Sequence, residues 1–230
     1  MKSLVIIPAR GGSKGLPGKN IKALNGKPLL HYSIDSARAF TDDENICLSS
    51  DDPKIITVAK EYGLDVPFIR PAALATDTAS SYDVIMHAIN FYESLGRNYD
   101  NILLLQPTSP FRKPEFIKEA MILYSGKLDM VVSVCISSAN PYYSLFEENE
   151  QGYLNASKPG HYTRRQDCPA VYEYNGSIYF MNVNSLKQKP IADFKRIKKY
   201  LMKKEYSIDI DTELDWLYAE LLLNSATVKL

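Results

Sequence analysis

Short apolar runs rich in β-branched residues alternate along this chain with stretches whose apolar residues recur at helical spacing, and few folds accommodate that alternation. Leu4-Val5-Ile6-Ile7 reads as a buried strand stopped by Pro8. From Pro28, the residues Leu29, Leu30, Ile34 and Ala37 predict a helix to about Phe40. Ile46-Cys47-Leu48 is the next strand, Asp51-Asp52 a turn, and Ile55 to Tyr62 the next helix. Val66 to Ile69 is a brief extended piece. Ser80-Ser81 caps a helix through Ile85, Ala88, Ile89 and Tyr92. Ile102-Leu103-Leu104-Leu105 and Met130 to Val134 are further strands, apolar on both faces. The expected fold class is therefore α/β, with three layers and a mostly parallel sheet covered on both sides.

The alternation breaks between Ser137 and Tyr172. This stretch is polar and tyrosine-rich, with Pro141, Gly152, Pro159 and Gly160, and it contains no βα unit. It reads as an arm, approximately 137–172, inserted into a single domain spanning 1–230. Regularity returns at Gly176 to Met181. The basic run Lys195 to Lys199 reads as a solvated face. Ile208-Asp209-Ile210-Asp211 follows as an extended segment, then an amphipathic helix carrying Leu214, Leu217, Leu221 and Leu222.

Composition narrows the function classes. The 27 Lys+Arg balance 27 Asp+Glu, so no bulk charge draws the chain to nucleic acid or anionic lipid. Cys47, Cys135 and Cys168 are too few and too scattered for a disulfide framework or a zinc site, which suits a reducing cytoplasm. No secretory or membrane-spanning run is present, and a cytoplasmic location is expected. His31, His87 and His161 share no ligand or triad spacing, and no serine sits in a nucleophile elbow.

The strongest functional signal follows the first strand. Ala9 to Asn20 holds Gly11, Gly12, Gly15 and Gly18, with Arg10, Lys14 and Lys19. Glycines bring backbone N–H groups close to an anion, and three cations in one loop suit a polyphosphate. The loop is not a Walker A motif, because Ser13 and Asn20 stand where Gly and Ser/Thr are required. Nor is it a dinucleotide fingerprint, because Gly11 and Gly12 are adjacent. An idle surface turn would not concentrate glycine and base in this way.

Ile7-Pro8-Ala9-Arg10-Gly11-Gly12-Ser13-Lys14-Gly15, ending in Lys19-Asn20, resembles the opening of the acylneuraminate cytidylyltransferases, the CMP-sialic acid synthetases and their relatives. Four further blocks resemble that family in order: Arg70-Pro71 with Leu74 to Ser80; Leu105 to Arg112; Arg164 to Asp167 with Asn175 to Tyr179; and Ile208 to Asp211. Gly15 and Asn20 differ from the loop usual in ketodeoxyoctonate cytidylyltransferases and favour the nine-carbon branch. The resemblance implies a nucleotide-diphospho-sugar transferase fold and CMP transfer from CTP to the anomeric hydroxyl of an acidic nine-carbon sugar, with release of pyrophosphate. It implies that Arg10, Ser13 and Lys19, with loop amides such as that of Gly11, hold the triphosphate. Asn20, Arg70, Ala79, Ser80 and Ser81 would seat the nucleoside. It also implies a homodimer whose arms complete the neighbouring site.

Other residues then fall into place beside their plainer readings. Asp209 and Asp211 lie two apart, so an extended backbone puts both carboxylates on one side. Hard oxygen ligands suit Mg²⁺, and the resemblance makes this pair the metal site on the triphosphate. With Arg10 and Lys19 they form the expected catalytic set. Thr212 and Asp215 read as a capping box, and Asp51-Asp52 before Pro53 as a helix N-cap. Arginine forks bind carboxylates, and the resemblance assigns Arg165 to the sugar's carboxylate. Gln106 ends a strand where open α/β sheets bind ligands. Asn175 and Tyr179 either line the sugar pocket or, for Tyr179, belong to the core. Tyr142, Tyr143 and Phe146 either face the sugar or pack within the arm or a dimer seam. N-acetylneuraminate leads as acceptor, with legionaminate next. Another sugar nucleotidyltransferase is the closest alternative, and a P-loop kinase or switch a remote one. A catalytically dead homologue would be expected to lose the acidic pair, which is intact.

Overall fold

The structure is a computed structural model that describes residues 1–228, so the last two positions of the expected 1–230 domain lie outside it. In chain order its elements are β1 (Ser3–Pro8), β2 (Ala23–Leu24), β3 (Lys27–Pro28), α1 (Leu29–Arg38), β4 (Ile46–Ser49) and α2 (Pro53–Glu61). Next come α3 (Ser81–Ser94), β5 (Asn101–Leu104), α4 (Pro114–Leu123), β6 (Met130–Ile136), β7 (Phe146–Glu148) and β8 (Leu154–Ala156). The chain closes with β9 (Tyr172–Asn182), α5 (Val183–Gln188), β10 (Ile197–Leu201) and α6 (Glu213–Asn224).

A six-stranded sheet runs in the order β10-β6-β9-β5-β1-β4. β1 pairs in parallel with β4 and β5, and β10 with β6, while the long β9 runs antiparallel to both of its neighbours. The strands are apolar on both faces because both are covered. Val5 and Ile7 pack with Leu30, Ile34, Ile55, Ala59 and Ile117 of α1, α2 and α4. Leu4 and Ile6 pack with Ile85, Ala88, Ile89 and Leu186 of α3 and α5. That is the three-layer α/β arrangement the alternation predicts. Among the described residues no helix is long and apolar enough to cross a membrane.

Several details differ from the sequence pattern. The basic run 195–199 is half edge strand: in β10, Tyr200 is buried while its flanking lysines stay in water, as charged edge strands do. α4 is unforeseen, although Pro114 at its first position and Ile117 and Ala120 on its buried face are helix signals. Val66–Ile69 and Ile208–Asp211 join no strand ladder. In α6 the capping box of Thr212 and Asp215 forms as expected, but the phase it sets buries Trp216, Ala219 and Leu222 and leaves Leu214, Leu217 and Leu221 exposed. Trp216 is the largest apolar group on the helix, and it outcompetes the leucine stripe for the core. The stretch between β6 and β9 has, among the described residues, one ladder of its own, the β7–β8 hairpin.

One buried carboxylate ties three elements together. Asp129 has a fully buried side chain just before β6. It accepts hydrogen bonds from the Ser185 hydroxyl (2.8 Å), the backbone N–H groups of Lys195 and Arg196 (both 3.0 Å) and the Arg196 guanidinium (3.0 Å), with Lys189 Nζ at 3.1 Å. Burial alone would raise its pKa. The hydrogen bonds from Arg196, Ser185 and Lys195 outweigh burial and hold the carboxyl far below the usual range. A depressed folded pKa contributes stability that is present above the unfolded value of about 4 and is lost as pH falls through the folded one. Asp129→Ala leaves the part-buried N–H groups of Lys195 and Arg196 and the buried Ser185 hydroxyl without their acceptor, and we expect a loss of about 3 kcal/mol in urea unfolding at pH 7. The gap between variant and wild type should narrow below pH 4.

Candidate active site

The parallel strands β1, β4 and β5 release their chains at the same edge of the sheet, the edge where such sheets bind ligands. A cleft of about 510 Å³ opens there. One wall is the glycine-rich loop, with Arg10, Ser13, Lys14, Lys19 and Asn20. The second is the segment after β4, with Arg70, Ala79 and Ser81. The third is Gln106 to Thr108 after β5, and Asp209 and Asp211 also line the cleft, in the segment that meets the loop.

At Gly11 and Gly15 the loop makes close approaches that leave no room for a side chain. The Gly11 N–H donates to Asp51 Oδ1 at 3.1 Å, and a Cβ on Gly11 would lie 2.6 Å from Asp52 Oδ2. A Cβ on Gly15 would lie 2.3 Å from the Asp211 carbonyl oxygen. The Asn20 amide donates to the Arg10 carbonyl (3.0 Å) and braces the loop from behind. Lys19 is nearly buried, and its ammonium donates to Asp211 Oδ1 (2.6 Å) and to the Ile210 carbonyl (2.8 Å). The loop therefore ends on the acidic segment. It enters a 3₁₀ turn at Lys19–Ile21 and then the β2–β3 hairpin, not an α-helix, which departs from P-loop architecture.

The loop's outer cations are also paired. Arg10 Nη1 reaches Asp77 Oδ1 (3.0 Å) and the Thr76 carbonyl (3.1 Å), and Lys14 Nζ reaches Asp77 Oδ2 (2.5 Å). Lys14, with Arg10, holds the Asp77 carboxyl below the usual range. A bound polyphosphate would compete with Asp77 for these cations. Asp77 and Thr76 are cleft residues that the site reading overlooked. Their signal lay inside the Leu74 to Ser80 block. Arg70 is buried and is fixed by Ser49, donating to its hydroxyl (3.0 Å) and carbonyl (2.5 Å). The Ser80 hydroxyl caps α3, so Ala79 and Ser81, on either side of it, face the cleft.

At the other end, Gly176 has a left-handed φ of 71° that favours glycine. A Cβ there would lie 2.7 Å from Ser109 Oγ, 3.1 Å from Gln106 Oε1 and 3.4 Å from Asp209 Oδ2. Gln106 and Asp209 thus meet at one notch. The structure does not bring every expected residue into the cleft. The Asn175 amide is buried and occupied: Oδ1 accepts from Ser133 Oγ (2.6 Å), and Nδ2 donates to Ser207 Oγ (2.9 Å). Tyr179 stands behind the notch, edge-on to Tyr174, with its hydroxyl pushed up to about 12 by burial and then by Asp209. Arg165 sits exposed in the arm and lines no part of its own cleft. Tyr142 packs edge-on against Tyr162, within the arm.

Asp209 and Asp211 fit a divalent cation by their chemistry. Desolvation by the surrounding cleft walls raises the Asp209 carboxyl above its ordinary pKa although the residue stays accessible to solvent; the Thr108 hydroxyl draws it down, and the neighbouring Asp211 raises it again. Two crowded carboxylates are stabilised by a cation between them. No group of three or more His, Cys, Asp or Glu ligands occurs among the described residues. Mg²⁺ needs none, because it takes one or two carboxylates plus water and substrate phosphates.

Residues 4–227 match a family model described as cytidylyltransferase. The chain is 37% identical over 230 residues to the CMP-N,N'-diacetyllegionaminic acid synthase of Legionella pneumophila, covering 97% of each chain. It is 37% identical over 225 residues to an N-acylneuraminate cytidylyltransferase of Streptococcus agalactiae, covering 95% of this chain and 52% of that protein. A pseudaminic acid cytidylyltransferase of Campylobacter jejuni is 33% identical over 223 residues, with 96% of each chain covered. The solved structure of a CMP:2-keto-3-deoxy-manno-octonic acid synthetase complexed with CTP superposes with a TM-score of 0.69 at 18% identity, over 98% of this chain and all of that one. That likeness is one of fold.

Proposed function

The chain belongs to the cytidylyltransferase family, and we propose that it transfers CMP from CTP to the anomeric hydroxyl of a nine-carbon keto-acid sugar, releasing pyrophosphate. The observation that carries this reading is the joining of a basic, amide-rich loop to an acidic pair through Lys19, with Gln106 beside that pair. The anomeric oxygen attacks the α-phosphorus in line. The new O–P bond forms as the bond to the bridging oxygen of the β-phosphate breaks, and the hydroxyl proton goes to solvent. Such transfers depend on positioning and charge neutralisation. Arg10, Ser13 and Lys19, with loop amides, hold the triphosphate and stabilise the departing pyrophosphate. Asn20, Arg70 and the 79–81 segment seat the nucleoside. Asp209 and Asp211 would hold Mg²⁺, which supplies charge neutralisation at the phosphates.

Gln106 borders the acceptor, and Asn175 fixes the strand whose Tyr179 backs the notch. Arg165 is assigned to the sugar's carboxylate across a homodimer, in the cleft of a second copy. The exposed arm residues Leu145, Phe146, Tyr153 and Leu154 support that assembly. Light scattering should give a dimer, and a fully active monomer at assay concentration would contradict it.

N-acetylneuraminate is the first acceptor to test. The legionaminate reading is kept beside it because the legionaminic relative aligns over nearly its whole length. Pyrophosphate release is measured with each of four nucleoside triphosphates and with both sugars, using an eight-carbon ketodeoxy acid as control. Turnover with CTP and a nine-carbon acid is expected. Preference for the eight-carbon control, or for another nucleotide, overturns the proposal.

A further inference from the structure

Arg112 is a buried cation without a carboxylate partner among the described residues. It is 3% exposed, and burial pushes its pKa down to about 9, so it remains protonated at neutral pH. Its fork is taken by neutral acceptors: Nε donates to the Ser177 carbonyl (2.7 Å), Nη2 to the Gln106 carbonyl (3.0 Å) and Nη1 to the Ser33 hydroxyl (3.3 Å). A buried charge without a counter-ion is unfavourable, and an apolar side chain of similar volume would avoid that cost. What an apolar side chain could not do is join these segments.

Two of the three acceptors border the acceptor end of the cleft. Gln106 lines it, and Ser177 follows Gly176, the notch that faces Gln106 and Asp209. Two residues beyond Gln106, the Thr108 carbonyl accepts from the Ile210 N–H (2.8 Å), between the two aspartates. One rigid guanidinium thus spaces Gln106 and the notch. The nucleotide end is held separately, by Asn20 on the Arg10 carbonyl and by Arg70 on Ser49.

We propose that Arg112 is a positioning residue for acceptor-sugar recognition: it sets the gap between Gln106 and the Gly176–Asp209 notch, and it leaves nucleotide binding to the other walls. This rests on the transfer reaction proposed above. The test is Arg112→Lys, which keeps the charge and loses the planar fork. Kd for CTP is read by calorimetry, and acceptor kinetics by pyrophosphate release. The variant should bind CTP within about twofold of wild type, while kcat/KM for the sugar falls about 10²-fold, the scale of an ångström-sized misplacement. In a Gln106→Ala background the same substitution should cost little further, because the two act as one unit.

Parallel losses in CTP binding and acceptor kinetics, failure of the variant to fold, unchanged acceptor kinetics, or additive effects with Gln106→Ala would each overturn the assignment. A wild-type chain that turns over no nine-carbon acid overturns the reaction itself, and the role of Arg112 with it. Wild-type turnover with an indifferent Arg112→Lys overturns only the positioning role.

Discussion

Asp209→Asn and Asp211→Asn should each lower kcat by about 10²-fold or more, the scale of a lost electrostatic contact to a developing charge. The substitution keeps shape and removes charge. The two variants should then differ in kind. Asp209 carries a carboxyl raised above its ordinary pKa, chiefly by desolvation within the cleft. A folded pKa above the unfolded one works against folding once pH exceeds both, so Asp209→Asn is expected not to lower Tm at pH 7. The native residue sacrifices a little stability for the site's charge, a trade common where function needs a crowded carboxylate. Asp211 is mostly exposed, and its partner Lys19 is nearly buried. Asp211→Asn therefore also loosens the ammonium that closes the phosphate loop, and it should raise KM for CTP more than Asp209→Asn does. Steady-state pyrophosphate release over a Mg²⁺ series measures both effects. Full activity of both variants at limiting Mg²⁺ would remove the acidic pair from the mechanism.

The parts of this protein legible in its sequence are those set by local chemistry. Leu4 to Ile7 is apolar on both faces because helices cover both faces, and no other context tolerates such a run in a short strand. Ser80, Asp52 and Thr212 cap helices through hydroxyl or carboxylate groups that reach N–H groups two or three residues on. The glycine-rich loop announces itself by composition. What escapes the sequence is set by distant partners. Asp51 looks like half of a capping pair, yet it holds the Gly11 N–H forty residues away in the chain. Asn175 carries a free-looking amide, but Ser133 and Ser207 occupy it. Arg112 ends a recognisable motif, and nothing local says that its fork is spent on Gln106, Ser33 and Ser177. β10 hides in a basic run because an edge strand buries little, and here Tyr200 supplies most of it. Arg165 is the extreme case: the resemblance gives it a ligand, while the fold of one copy leaves it away from the cleft.

Gly15→Ala should reduce kcat/KM by about 10²-fold, whereas Gly12→Ala, in the same loop, should stay near wild type. Neither glycine has a left-handed φ, so the contrast does not come from backbone conformation. It comes from what a methyl group meets. At Gly12 nothing lies within 4 Å of the added carbon. At Gly15 the added carbon falls 2.3 Å from the Asp211 carbonyl oxygen and 3.3 Å from its carbonyl carbon. Real carbon atoms do not approach backbone oxygens so closely, and a backbone atom cannot rotate away as a side chain can. The loop and the acidic segment must separate by about an ångström to restore contact distance. Lys19 bridges that same gap to Ile210 and Asp211, so its hydrogen bonds lengthen together with it. Overpacking of this kind also costs about 1–3 kcal/mol of stability, visible as a lower urea midpoint with an unchanged slope. CTP binding should weaken with turnover, because the phosphate loop itself moves. That separates Gly15→Ala from Arg112→Lys, where CTP binding should hold. A Gly15→Ala enzyme with wild-type kinetics would show that the loop and the Asp211 backbone do not meet in the working protein, and the joining of basic loop to acidic pair would lose its structural basis.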